Sequence, residues 1–152
     1  MRKILARLTA ISFLFVCLLG ASVSYAQSDF KVTLLGTSST VPWADRFGPS
    51  TLVEAGDQTL LFDAGRGVPI RMGQIKMPLR KINVLFITHY HSDHTLGIPD
   101  VWLTGWLSNP SGQRTTPFHV IGPIGAKALM SNLQNAYAAD IKIRIEDTKL
   151  PP

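Results

Sequence analysis

The sequence predicts a mixed protein of the α/β or α+β class, and three observations carry that reading. Residues 82–87, Ile-Asn-Val-Leu-Phe-Ile, form an almost wholly apolar run of strand length. Residues 51–55 and 59–63 are two short β-type segments flanking Gly56-Asp57-Gln58, a hairpin signal. Beyond residue 97, helical and strand-like periodicities alternate. Strands first, then strand alternating with helix, is the order of those two classes.

Taken in order, residues 30–35 alternate weakly and stop at Gly36, as a first strand would. A loop rich in hydroxyls, Gly and Pro follows, running through Gly48-Pro49. After the hairpin, Ala64-Gly65-Arg66-Gly67 turns the chain, and residues 68–75 suit a short helix with Pro69 tolerated in its first turn. Residues 82–87 read as a strand covered on both faces. Residues 97–107 place Ile98, Val101, Trp102, Leu103 and Trp106 near one helical face. Residues 117–121 form a further strand, and a helix runs from Gly122-Pro123 to about Tyr137. Residues 141–146, Ile-Lys-Ile-Arg-Ile-Glu, alternate cleanly and predict a strand with one exposed face.

The first 26 residues stand apart. Met1-Arg2-Lys3 and Arg7 make a basic start, an apolar run spans residues 8–19, and Ser24-Tyr25-Ala26 offers small residues where a signal peptidase reads. The expectation is a secretory leader cleaved after Ala26, which makes the mature protein periplasmic or secreted. The alternative, an uncleaved anchor, suffers because the run falls short of the ~20 apolar residues that span a bilayer. Residues 27–152 then make one domain of ordinary size.

The leader carries three positive charges, so the formal +5 of the whole chain becomes +2. The basic balance gives no support for nucleic-acid binding. The lone cysteine, Cys17, leaves with the leader as well. A cysteine-free mature chain has neither disulfide nor thiolate, and any metal must be held by His, Asp, Glu or water.

Three of the four histidines fall in Thr88-His89-Tyr90-His91-Ser92-Asp93-His94, directly after the apolar strand. That is the C-terminal strand end, where α/β folds place their sites. In an extended stretch residues two apart point the same way, so His89 and His91 can face one metal. Asp93 and His94 come where the chain turns and can serve a second. Imidazole and carboxylate suit Zn2+, and to a lesser degree Mn2+ or Fe2+. Such a centre supplies hydroxide at neutral pH, with Asp93 anchoring and deprotonating the bridging water. A solvated loop or a metal-sequestering tract is the bland alternative, and neither explains the buried strand just before it.

His89-x-His91-x-Asp93-His94 resembles the signature of the metallo-β-lactamase fold. Leu35-Gly36-Thr37, Gly48-Pro49-Ser50-Thr51, Leu61-Phe62-Asp63-Ala64-Gly65-Arg66-Gly67, Gly97-Ile98-Pro99-Asp100 and Gly122-Pro123 follow in the order of its ribonuclease Z and arylsulfatase-like branch. The resemblance covers residues 30–137. It implies an αββα sandwich with a dinuclear zinc-class site, His89 and His91 on one ion, Asp93 and His94 on the other. It also implies that Asp63 supports the metal loop; from the residues alone, capping of the Gly65–Gly67 turn explains Asp63 equally well. Residues 37–41 would form a loop near the site. Arg66 reads as a surface residue rather than a substrate contact.

The resembling pattern also needs a later histidine, a bridging aspartate and a final histidine. Here His119 is the sole later histidine, and it reads as a strand residue. Asp140 and Asp147 occupy turn or strand-end positions. The chain therefore corresponds to the N-terminal half of the fold, whether as a gene fragment, a split protein completed by another chain or a homo-oligomer, or an inactive remnant. Half a sandwich should expose a large apolar face.

Functionally, the expectation is an exported metal-dependent hydrolase of phosphodiester, sulfate-ester or lactone substrates. The leader and the mature charge rank small esters above RNA, against the transfer-RNA processing that the branch implies. A non-catalytic metal-binding or interaction module is the alternative, and a β-lactamase proper is weaker.

Overall fold

The computed structural model describes residues 30–148. The leader and its cleavage position lie outside the described residues. Strands β1 (Phe30–Gly36), β2 (Ser50–Ala55) and β3 (Gln58–Phe62) form an antiparallel meander; β4 (Val84–Phe86) and β5 (His119–Ile121) continue the sheet in parallel, in the order β1-β2-β3-β4-β5. The β2–β3 turn is tight because Ala55 pairs with Gln58, leaving Gly56 and Asp57 to reverse the chain. Gly56 does so at φ 59, where a Cβ would be strained. Helix α1 (Val68–Gln74) and a 3-10 turn at Leu79–Lys81 lie between β3 and β4, α2 (Ser92–Thr95) and α3 (Ile98–Trp106) lie between β4 and β5, and α4 (Ala126–Ala136) and α5 (Ala138–Thr148) follow β5. Helices α1 and α3 each carry Pro in the first turn, where its missing N–H costs nothing. Among the described residues no helix is long and apolar enough to cross a membrane.

One sheet face makes the core. Leu35, Leu52, Leu61 and Leu85 point to it and are buried against Val68 and Met72 of α1 and Ile98 and Val101 of α3. Each such side chain contributes roughly 1.5–3 kcal/mol. Leu129, Met130 and Leu133 of α4 pack partly onto the same cluster. Arg114 closes the far end. Its guanidinium donates to the Leu79 carbonyl at 2.6 Å and lies 4.6 Å over the Phe118 ring. Burial pulls its pKa down to about 10.

The opposite face is open. Phe30, Val32 and Leu34 on β1 are 68%, 53% and 66% exposed, and Ile121 on β5 is 54% exposed. Between them the rings of Phe62 and Phe86 stack 4.9 Å apart. The apolar face anticipated for half a sandwich is therefore present. The strand expected over 82–87 is corrected in two ways: it spans Val84–Phe86, and Val84 and Phe86 are half-buried, so it is covered on one face rather than both. Asn83 stands apart from the strand and ties β3 to β4, its side-chain Oδ1 accepting from Thr59 N at 2.6 Å and its backbone N–H donating to Thr59 O at 2.8 Å.

The strand expected over 141–146 is a helix, α5. Six alternating residues satisfy both periods at Ile141 and Ile145, which are also one helical turn apart. The discriminating residue, Ile143, is 54% exposed. Two pairs that only a helix aligns, Asp140 with Arg144 at 3.3 Å and Lys142 with Glu146 at 3.9 Å, run along it. The helical hydrogen bonds carry through the junction, from Tyr137 N to Leu133 O and from Ile141 N to Tyr137 O.

Candidate metal centre

The histidine loop leaves β4 through Ile87, whose N–H still donates to Ile121 O at 2.8 Å. His91 keeps an extended backbone (φ −59, ψ 142), and Ser92 starts the single turn of α2. The motif thus changes conformation in its middle: residues 89–91 precede the helix, with His91 extended, and the D-H half is helical. His94 N and Thr95 Oγ1 both donate back to His91 O, at 3.1 Å each, and fix that change.

Asp63 organises the loop from the end of β3. It is 6% exposed and adopts φ 57, the left-handed region that an aspartate tolerates better than most residues. Its Oδ1 accepts from Thr88 N at 2.8 Å, and its Oδ2 accepts from Thr88 Oγ1 at 2.8 Å and from His94 Nδ1 at 2.7 Å. These bonds tie Asp63 to the histidine loop at Thr88 and His94. Because Nδ1 of His94 is committed to Asp63, Nε2 is the nitrogen left for another partner.

The segment after Asp63 is clasped from both sides. Ala64 N donates to His94 O and Gly97 N donates to Ala64 O, each at 2.8 Å. Gly48 N donates to Arg66 O at 3.0 Å, and Gly65 N to Pro49 O at 3.1 Å. The backbones come so close that a Cβ on Gly65 would stand 2.6 Å from Asp93 O and 2.4 Å from Gly48 C. This explains the glycines at Gly48, Gly65 and Gly97 without recourse to flexibility.

Three imidazoles gather over this base. The His89 ring lies 4.5 Å from that of His91 and 4.1 Å from that of His94. His94 therefore packs beside His89. Asp93 is buried, with Oδ2 3.9 Å from His94 Nε2, and its Oδ1 has no hydrogen-bond partner. Among the described residues, no group of three or more His, Cys, Asp or Glu side chains stands preassembled to hold a metal ion. The donor chemistry nevertheless fits one: nitrogen and carboxylate ligands, a ring nitrogen oriented by a carboxylate, and a buried carboxylate oxygen that needs a cation or a donor.

His119 lies apart, exposed and opposite Val84 at the start of β5, whereas the histidine loop follows the other end of β4. Asp140 is paired with Arg144 on α5, and Asp147 is exposed on the same helix. Arg66 is exposed and donates to Thr40 O at 3.3 Å, stapling the 37–41 loop to the turn after β3. Sequence reasoning missed Thr88 and Tyr90. Tyr90 Oη donates to Pro123 O at 2.6 Å, joining the histidine loop to the turn after β5. For Thr88 the signal was present: a hydroxyl residue directly before the first histidine.

A mixed sheet with an H-x-H-x-D-H loop at the end of its fourth strand, backed by an aspartate from the third, defines a protein of the metallo-β-lactamase fold. The family model described as Anti-Pycsar protein Apyc1 matches residues 30–121, and the chain belongs to that family. Ribonuclease Z of Mycolicibacterium gilvum (strain PYR-GCK) is 44% identical over 125 residues, which is 80% of this chain and 43% of that protein. The chain thus spans less than half the length of the curated relatives it matches. Human tRNase Z, short form (ELAC1), superposes with a TM-score of 0.62 at 26% identity, over 70% of this chain and 39% of its own. Zn(2+)-bound PqqB from Methylobacterium extorquens is alike in fold alone, with a TM-score of 0.50 at 20% identity over 72% of this chain and 46% of its own. The expectation that small esters outrank RNA finds no support here, since the curated relatives are named for a ribonuclease.

Proposed function

We propose that this chain supplies the H-x-H-x-D-H half of a metal-dependent hydrolase acting on phosphodiesters. The observation that carries the reading is the His94–Asp63 bond beside a buried Asp93 whose Oδ1 lacks a partner. His89, His91, Asp93 and His94 are the residues that would hold zinc-class ions. When bound, such ions lower the pKa of water to about 7 and provide a hydroxide nucleophile. Asp93 holds the attacking water and takes its proton, Asp63 keeps His94 aimed, and the clasped backbone of residues 63–65 keeps the loop from drifting. The relatives named Ribonuclease Z support phosphodiesters over sulfate esters and lactones, and RNA enters as a substrate to test beside small diesters.

A second reading follows from one observation, that no three ligands converge among the described residues. On that reading the chain binds metal without turnover unless further donors join it. Export is proposed alongside, from the basic, apolar and small-residue pattern of residues 1–26.

The test is metal content of the purified chain by elemental analysis after exhaustive dialysis, beside a His89→Ala/His91→Ala control. Hydrolysis of bis(p-nitrophenyl) phosphate and of a precursor-tRNA transcript is assayed in parallel. Retained zinc lost in the control, with phosphodiester turnover, supports the hydrolase; retained zinc without turnover supports the binding module. No retained zinc overturns both. A mature N-terminus at Gln27 in the exported fraction supports the leader, and an intact Met1 on a membrane-bound product refutes it.

A further inference from the structure

We infer that Thr88 is a positioning residue that sets the tautomer of His89, so that one carboxylate, Asp63, orients two of the histidines at once. Asp63 orients His94 directly and His89 through the Thr88 hydroxyl.

Three donors converge on Asp63: Thr88 N, Thr88 Oγ1 and His94 Nδ1, all within 2.8 Å. A carboxylate taking three donors acts as an acceptor only. The Thr88 hydroxyl has a single proton, and the bond to Asp63 Oδ2 uses it. Thr88 Oγ1 also lies 3.0 Å from His89 Nδ1. With its proton committed, the hydroxyl oxygen can only accept there, so His89 Nδ1 must carry hydrogen. Neutral His89 is then the Nδ1–H tautomer, with the Nε2 lone pair exposed.

Two features make this more than a chance contact. Thr88 is held at two points on the same carboxylate, backbone and side chain, which removes the freedom of its hydroxyl rotor. Asp63 itself is fixed at the end of β3, its N–H donating to Phe86 O at 2.8 Å. The chain Asp63–Thr88–His89 therefore starts from the sheet. His89 and His94 come out with the same nitrogen engaged, and their rings lie 4.1 Å apart. A valine is nearly isosteric with threonine and would keep the packing while deleting the relay.

The value of this arrangement for metal binding rests on the hydrolase reading above, but the tautomer does not, and the experiment separates the two. The full chain, labelled with 15N-histidine and stripped with chelator, is examined by two-bond 1H–15N correlation spectra above pH 7.5. The four histidines are assigned from single His→Gln variants. The expected result is an Nδ1–H pattern for both His89 and His94 in the wild type. Thr88→Ser keeps it, and Thr88→Val shifts His89, not His94, toward the Nε2–H form. An Nε2–H pattern for His89 in the wild type overturns the inference, and so does a Thr88→Val spectrum identical to wild type. Should the valine variant fail to fold, the wild-type and serine spectra still decide. Zinc is then titrated against a chromogenic chelator. Thr88→Val should bind about 10–100-fold more weakly, as loss of a ligand-orienting partner typically does. Correct tautomers with no zinc binding in the wild type would refute the metal reading and leave the relay standing.

Discussion

The carboxylate of Asp63 and the imidazole of His94 meet at 2.7 Å across 31 residues of sequence. That bond joins the end of β3 to the turn of α2 and makes the histidine loop part of the sheet rather than an appendage of it. The first prediction concerns its loss. Asp63→Asn keeps a residue that tolerates φ 57 but offers a single acceptor oxygen to three donors. Zinc affinity should fall about 10–100-fold, and stability by about 1–3 kcal/mol. Competition titration and urea unfolding measure the two. An unchanged affinity would remove Asp63 from any role in holding the loop.

Asp93 should behave in the opposite way toward stability. It is buried with one oxygen unpartnered, an arrangement that costs free energy in the metal-free chain. Asp93→Ala should leave the metal-free fold as stable or raise it by ~1 kcal/mol. The same change should weaken zinc binding and abolish phosphodiester turnover wherever turnover is found. Full activity in this variant would end the water-anchoring proposal.

Gly65 tests the backbone clasp. An alanine Cβ would sit 2.4 Å from Gly48 C and 2.6 Å from Asp93 O, and backbone cannot swing aside as a side chain does. Gly65→Ala should cost about 1–3 kcal/mol or more and displace the histidine loop, so that zinc affinity falls with stability. A control at Gly73, where a Cβ meets nothing within 4 Å, should be neutral or slightly stabilising. Equal effects at both positions would show that the close approach is not what matters.

The open sheet face predicts self-association. Leu34 and Ile121 are 66% and 54% exposed at opposite edges of an apolar surface that includes the stacked Phe62 and Phe86. At micromolar concentration the chain should sediment as dimers or larger species. Leu34→Lys with Ile121→Lys should shift it toward monomer without lowering the unfolding midpoint. A monomeric wild type in sedimentation velocity would mean that the exposed face is tolerated in water.

Much of this fold is legible from local pattern. The hairpin follows from two β-type segments around Gly56, and α3 from the spacing of Ile98, Val101, Trp102, Leu103 and Trp106. The histidine loop is legible as a candidate site because residue type and position after a strand coincide. What local pattern does not contain is pairing across distance. The bonds from Asp63 to Thr88 and His94 span 25 and 31 residues, and no periodicity reports them. The error over 141–146 has a different cause: Ile141 and Ile145 serve either period, and the choice is made by the Asp140–Arg144 and Lys142–Glu146 pairs. Two-sided cover of residues 82–87 failed because apolar composition records what a surface would bury against, not whether that cover is present.

The change of strand direction at β3 has a consequence in time. Strands β1, β2 and β3 pair through short connections, so a chain emerging N-terminus first from a ribosome or a channel can form that meander early. Adding β4 in parallel requires the whole α1 crossover to close, a slower loop-closure step. Until it does, Asp63 waits at the end of β3 with neither Thr88 nor His94 in reach. On the proposed metal reading, an ion arriving before that moment would meet loose imidazoles, and one arriving afterwards would meet rings already oriented. On that reading the centre would be complete only once β4 has docked, so its assembly would be set by strand pairing rather than by the histidine loop alone.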